Sequence, residues 1–170
     1  MIIFKKFLFI IIFITLIPTM VLSEDKIAFI NLDNVLKKSN LGKNIIVYLE
    51  TIDKKNIEFL KKNEIKIKNE EKKIKEKINI ISKEELDKEL NLLKKKLKNL
   101  NLKKNVMVKN YQKEKNSQLN DFFKKINPII QNYMDNQSIN VLLDKKNIYI
   151  GKSTSDITEN IIKLINEKFE

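Results

Sequence analysis

The sequence contains no histidine, no cysteine and no arginine, and these absences narrow what the chain can do. Without His or Cys, zinc sites and most transition-metal sites are not expected, and Ser-His-Asp and Cys-His catalysis are excluded. Without Cys, the chain must be held together by core packing, coiled-coil contacts or oligomerisation, not by disulfides. The carboxylates stand in no pocket-forming context, so we predict no enzymatic activity and no cofactor.

Glycine and proline are also scarce, with two of each in 170 residues. Between Gly42 and Asn127 no proline and no further glycine interrupts helical hydrogen bonding. In the second half of this stretch, leucines step by four and three residues, which is the spacing of a coiled-coil seam. They are Leu86, Leu90, Leu93, Leu97 and Leu100. This spacing predicts helix and not strand.

The first half of the same stretch has a weaker apolar repeat. Leu60, Ile67, Ile74 and Ile81 recur every seven residues. In a heptad repeat a second seam position follows four residues after each of these, and Glu64 and Glu71 occupy two of those positions. This leg is therefore only weakly apolar.

A turn between the two legs has its own signal. Ser82 followed by Glu85 has the pattern of a capping box, in which the two side chains satisfy free amides at a helix start. We therefore predict an antiparallel helical hairpin over residues 42–127, with its tip near 81–82. Each leg would be roughly 57 Å long at 1.5 Å per residue, so this arm should project from a body.

A two-helix hairpin has no third layer that could cover all of its apolar side chains. Those that fall outside the regular seam are expected to be exposed, and such surface usually marks a binding face or a subunit contact. They are Phe59, Ile65, Ile80, Leu92, Leu102, Val106 and Val108.

The positive charge of the chain is concentrated in the predicted arm. Residues 43–127 hold 24 Lys and 13 acidic residues, a net charge of +11, whereas the rest of residues 24–170 holds 8 Lys and 9 acids. Without Arg, bidentate readout of phosphate or bases is not available. Diffuse Lys charge suits non-specific attraction to an acidic polypeptide, a lipid surface or nucleic acid, although a simple solvated helix has the same composition.

The first 23 residues have the pattern of a secretory signal peptide. Lys5 and Lys6 precede an apolar run that ends near Ser23, and Pro18 lies towards the end of that run. We expect cleavage after Ser23; the alternative is an uncleaved anchor, for which the run is short. The sequence after it contains no second apolar run long enough to span a membrane.

The remaining segments, residues 24–41 and 128–170, are predicted to form a small body. Apolar runs bounded by turn residues indicate strands, and an apolar pattern behind Asp156 and Glu159, a second capping box, indicates a helix. The predicted elements are strands 26–32, 139–143 and 147–150, the last two joined by a hairpin turn, and a helix over 157–168. Pro128 is expected to kink or restart the helix at the junction of arm and body.

This layout resembles the Skp (OmpH) family of periplasmic chaperones. The resemblance rests on the opening strand Lys26-Ile-Ala-Phe-Ile-Asn-Leu, the long Lys-rich hairpin, Val141-Leu-Leu-Asp and the closing Asp156-Ile-Thr helix. It implies an α+β, mostly α, fold in which three chains join their body strands into a small β-barrel. The trimer core would then contain Ile27, Phe29, Ile30, Val141, Leu143, Ile148 and Ile150.

The resemblance also implies a function. The chain would be an ATP-independent holdase in the periplasm, with basic, partly apolar arms that enclose unfolded outer-membrane proteins and prevent their aggregation. Client contacts are expected near the arm tip, at Ile74, Ile78, Ile80, Ile81, Leu86 and Leu90. Weak contact with anionic lipid is also expected, and specific nucleic-acid binding is not. The alternatives are a structural or adaptor coiled coil of the cell envelope, and a binder of nucleic acid or anionic surfaces.

Overall fold

The computed structural model describes residues 25–169, so the predicted signal peptide lies outside the described residues. The elements in chain order are β1 Ile27–Ile30, α1 Leu32–Lys38, α2 Asn40–Lys77, α3 Lys83–Asn136, β2 Val141–Asp144 and α4 Thr158–Lys168. Short 3-10 turns cover residues 145–147 and 153–155. The predicted α+β, mostly α, fold with a long helical hairpin is confirmed.

The two strands pair in parallel, with Ile27 opposite Val141 and Ile30 opposite Asp144. Parallel neighbours need a long crossover connection, and here the whole helical hairpin provides it. Because side chains alternate along a strand, Ala28 and Ile30 project from one face of the sheet. Ile27 projects from the other face, as does Val141, which lies opposite it on β2. Ala28 and Ile30 are buried and belong to the core.

The core lies where α1, α4 and the adjoining ends of α2 and α3 pack against the inner face of this sheet. Its buried residues are Ala28, Ile30, Val35, Ile45, Leu49, Phe122, Ile126, Ile129, Ile130, Ile139, Ile157, Ile161, Ile162 and Ile165. The close approach of α1 to α2 requires glycine at position 42. A Cβ on Gly42 would lie 1.9 Å from the carbonyl oxygen of Leu36, so any side chain there would force the two helices apart.

Beyond the body, α2 and α3 lie side by side as an arm that turns back at residues 78–82. The Ser82 hydroxyl accepts a hydrogen bond from the Glu85 backbone N–H at 3.3 Å, which is the Ser82 half of the predicted capping box at the start of α3. Leu93 is buried in the seam and Leu86 and Leu90 are half-buried. Lys96 on α3 contacts Glu70 on α2 at 2.7 Å, an ion pair across the hairpin.

The predicted seam of α2 is wrong by one residue at its polar positions. Glu64 and Glu71 are exposed, whereas Asn63 and Glu70 are half-buried against α3. The core residues Ile45 and Leu49 fix the rotation of the helix at its base, and steps of three and four from them lead to Asn63 and Glu70. The strict seven-residue repeat did not account for this anchoring.

Two further predictions about the body need correction. Residues 147–150 do not form a strand: residues 145–147 make a 3-10 turn, and the next residues fold back over Phe29 instead of pairing with β2. The apolar alternation of Ile148 and Ile150 suggested a hairpin, but after the turn the chain crosses to β1, where Asp156 forms a parallel bridge with Phe29. Pro128 does not restart the helix, since α3 continues through it to Asn136.

Candidate functional site

The first candidate surface is the outer face of the two-stranded sheet and the segment that follows it. Ile27, Val141 and Leu143 are exposed there, and Ile150 is 85% exposed. Tyr149 beside it is fully exposed. A group of large apolar side chains this open on a small body is typical of a surface that another chain covers.

Two residues predicted for a trimer core belong instead to the interior of the single chain. Ile30 is on the inner face of the sheet and is buried in the core. Phe29 projects from the outer face but is also buried, because the Gly151 backbone packs on its ring and Lys145 Nζ lies 5.7 Å from the ring centroid. Ile148 is half-buried beside it. Burial within one protomer leaves neither Phe29 nor Ile30 free to form the surface of a subunit contact.

Asp156 holds the segment over Phe29 in place. Its Oδ2 accepts a hydrogen bond from Lys145 Nζ at 2.7 Å, and its Oδ1 accepts from the backbone N–H and the hydroxyl of Thr158. The Thr158 hydroxyl in turn accepts a bond from the Asn31 backbone N–H at 2.9 Å. Burial raises the pKa of the Asp156 carboxyl, but its bonds from Lys145 and Thr158 outweigh burial and lower the pKa below its ordinary value.

The role of Asp156 was only partly predicted from the sequence. The predicted capping box places Asp156 at the start of α4, but the N-cap position is Ile157, and it makes no side-chain capping bond. Asp156 instead links β1, the residue 145–156 segment and α4. The sequence signal that could have revealed this is Asp-x-Thr, because Asp commonly bonds the backbone two residues on.

The second candidate surface is the arm, where apolar side chains remain open along both helices. Of the residues expected outside the seam, only Phe59 is half-buried, and Lys103 Nζ lies 4.4 Å from its ring centroid. The others are exposed: Ile65, Ile80, Leu92, Leu102, Val106 and Val108. The expectation of leftover apolar surface on a two-helix arm is confirmed.

The residues expected to contact clients near the tip fall into two groups. Ile80 is 82% exposed and Ile78 is also exposed, whereas Ile81, Leu86 and Leu90 are half-buried. Ile74 is only 8% exposed because it packs in the seam between α2 and α3, so it stabilises the hairpin and is not open to a partner.

The lysines of the tip are mostly engaged in ion pairs with neighbouring carboxylates. The pairs are Lys72–Glu76, Lys75–Glu71, Lys77–Glu89 and Lys88–Glu84, with N–O distances from 2.7 to 3.8 Å. Residues 70–89 hold six Lys and seven acids, so the end of the arm has nearly no net charge. The positive charge of the arm therefore lies closer to the body.

None of the helices within residues 25–169 is both long and apolar enough to cross a membrane. In the same part of the chain, no three acidic side chains are grouped as metal ligands would be.

A family model and a solved structure both match this chain. The family model for outer membrane protein (OmpH-like) matches residues 26–165. A crystal structure from Caulobacter crescentus, provisionally named an outer membrane chaperone (OmpH-like), is similar with a TM-score of 0.77. It is 20% identical in sequence and the match covers 86% of this chain and 87% of that one, which shows a shared fold. No curated protein matches the sequence.

Proposed function

The chain belongs to the OmpH-like outer membrane protein family, and from that premise we propose that it is an ATP-independent chaperone that holds unfolded outer-membrane proteins in the periplasm. The observation that carries the proposal is an arm that is both basic and incompletely packed. Residues 43–127 carry a net charge of +11 and leave several Leu, Ile and Val side chains exposed. A similar structure is named as an outer membrane chaperone, which supports the same activity.

Holding by this arm needs no nucleotide. Lysine charge attracts an acidic polypeptide over roughly 10 Å at moderate salt, and exposed apolar side chains then hold it by many weak contacts. Ile78 and Ile80 at the tip are the most open apolar contacts there, with Ile81, Leu86 and Leu90 partly open beside them. Weak, spread contacts allow release when a better partner, such as an insertion site, becomes available.

We also propose that three copies assemble through the outer face of the sheet. Ile27, Val141, Leu143 and Ile150 are exposed there, and assembly would remove them from water. Strands this short leave open edges in a single chain, which a neighbouring protomer would cover. Assembly would also bring several basic arms together around one client.

Localisation follows from the predicted signal peptide, residues 1–23, with cleavage near Ser23. We propose that residues 24–170 are the working protein and that it acts in the periplasm. Weak attraction of the Lys-rich arms to anionic lipid would accompany client binding.

The first experiment measures the light-scattering mass of residues 24–170, alone and after mixing with an outer-membrane β-barrel protein diluted from urea. We expect a trimer that gains about one client mass and keeps the client soluble without ATP. A protein that leaves the client to aggregate, and binds only a folded envelope protein, would favour the adaptor alternative.

A variant pair tests the assembly surface. Val141→Asp places a charge on the outer face of the sheet, and Val47→Asp places the same charge at an exposed position of α2. We expect Val141→Asp to give a folded monomer and Val47→Asp to leave the trimer intact. If both variants remain trimers, the proposed assembly surface is wrong.

A further inference from the structure

A stripe of six exposed side chains runs along the face of α3 that points away from α2. Successive members are three or four residues apart, so they lie on one side of the helix. The outer stripe consists of Lys95, Lys98, Leu102, Val106, Lys109 and Lys113. Its centre, Leu102, lies about 200° around the helix from the seam residue Leu100. The outer stripe is therefore turned to solvent along its whole length, roughly 27 Å.

The charge of the outer stripe is not balanced by the protein itself. Between Glu89 and Glu114, α3 contains eight Lys and no acidic residue. Within residues 25–169, none of the four stripe lysines forms an ion pair, whereas four of the six tip lysines do. The attraction of the arm for an acidic partner is thus concentrated at mid-arm and is weak at the tip.

The apolar residues at the centre of the stripe are open as well. Leu102 and Val106 are each just over half exposed and are one helical turn apart, so they form one small apolar patch. Two lysines precede this patch and two follow it. An apolar patch between two cationic ends matches a peptide segment that carries apolar residues between acidic ones.

We propose that the outer stripe is the arm's recognition site for extended, unfolded polypeptide in which acidic residues flank a short apolar run. This inference rests on the proposed function and specifies where the client is held and which client segments are preferred. An extended chain rises about 3.3 Å per residue, so the stripe accommodates roughly eight residues. The tip offers apolar contacts to a client, but because it has nearly no net charge it does not favour acidic segments.

Charge complementarity favours a polypeptide over the two other occupants of such a face. The arm of a second copy is basic as well, so it would be repelled from the outer stripe even where the copies assemble through their bodies. An anionic membrane surface would attract all cationic faces of the arm, and it offers no reason for an apolar patch between the lysines. A polypeptide with an apolar run between acidic residues would contact both the lysines and the apolar patch of the stripe.

The test compares two variants that each remove four positive charges. The stripe variant is K95Q/K98Q/K109Q/K113Q, and the tip variant is K72Q/K75Q/K77Q/K88Q. Gln has nearly the helix propensity of Lys, so both variants should keep the fold, which circular dichroism and light-scattering mass confirm. The probe is a fluorescent peptide of eight residues, with an apolar run between acidic ends, measured by anisotropy alongside a urea-diluted outer-membrane protein.

We expect the stripe variant to bind both probes about tenfold more weakly, the product of four small contributions from exposed charges. Its binding should also depend less steeply on salt than that of the wild type, and the tip variant should change by less than about twofold. A third variant, L102Q/V106Q, should weaken binding without changing the salt dependence, because it removes apolar contact only.

Two results would overturn the stripe assignment while the chaperone proposal stands. One is a stripe variant and a tip variant that lose client affinity equally, which would mean that only total charge matters. The other is a stripe variant that loses binding to phosphatidylglycerol vesicles but keeps the client. If the wild type binds neither client nor peptide, the chaperone proposal itself fails.

Discussion

The body and the arm of this protein differ in how they are stabilised. In the body, residues from five helices and strands bury a shared core, and several isoleucines are fully inaccessible. In the arm, between residues 50 and 121, only Ile74 and Leu93 are buried. The body therefore derives its stability from long-range packing, whereas the arm depends on helix propensity, caps and a thin seam. The difference shows how one chain can combine a well-packed body with an arm whose apolar side chains stay largely exposed.

The largest expected effect uses the same substitution in both regions. Ile161→Ala in α4 removes a fully buried side chain, and we expect the free energy of unfolding to fall by about 3 kcal/mol. Ile65→Ala on α2, where the side chain is half exposed, should change it by less than about 0.5 kcal/mol. Urea unfolding followed by circular dichroism measures both. Equal losses would show that the arm is packed as tightly as the body.

The next largest effect compares the loss of stability when each of the two glycines is replaced by alanine. Gly42→Ala puts a Cβ 1.9 Å from the Leu36 carbonyl oxygen, which is backbone and cannot move aside, so we expect a loss of about 2 kcal/mol or more. Gly151→Ala meets the edge of the Phe29 ring at 2.8 Å, and a side chain can shift. Thermal unfolding of both variants should therefore rank Gly42→Ala as the more damaging, and the reverse order would contradict this packing at the α1–α2 corner.

A third prediction reduces the difference between the regions by making the arm more like the body. Asn63 is half-buried in the seam, where its Nδ2 donates to the Phe59 carbonyl oxygen at 2.7 Å. Asn63→Leu replaces this polar position with an apolar one, and we expect the arm to gain about 1 kcal/mol. Hydrogen exchange of the mid-arm amides should slow accordingly. Unchanged or faster exchange would mean that the polar seam residue is itself stabilising.

The smallest effect concerns pH and the Asp156 contacts in the body. The pKa of Asp156 is lowered in the folded protein from 3.8, so its contribution to stability is present above that value and is lost as the pH falls below it. We expect Asp156→Asn to be less stable than the wild type at pH 7, and the difference to shrink by pH 3. Urea unfolding at both pH values measures it. A difference that does not depend on pH would assign the effect to packing and not to charge.

Much of the arm could be predicted from the sequence, because its determinants are local. Leucines at coiled-coil spacing, the absence of proline and the Ser82 cap each act within a few residues, and the structure shows the hairpin and its turn where these signals are. The exposed residues outside the seam were predictable for the same reason, since two helices have only one contact line. The seam of α2 was the exception, because the body sets its rotation through Ile45 and Leu49.

The body shows what the amino-acid sequence could not determine alone. Apolar alternation at residues 147–150 suggested a hairpin strand, yet the segment crosses instead to β1, which is far away in sequence. The burial of Ile30 in the core, the covering of Phe29 and the role of Asp156 all depend on contacts between distant segments. Composition and local pattern determined a basic, thinly packed helical arm on a small body. The tertiary structure decided which apolar residues of the body are buried and which are exposed, because a side chain is buried only where segments distant in sequence pack on it.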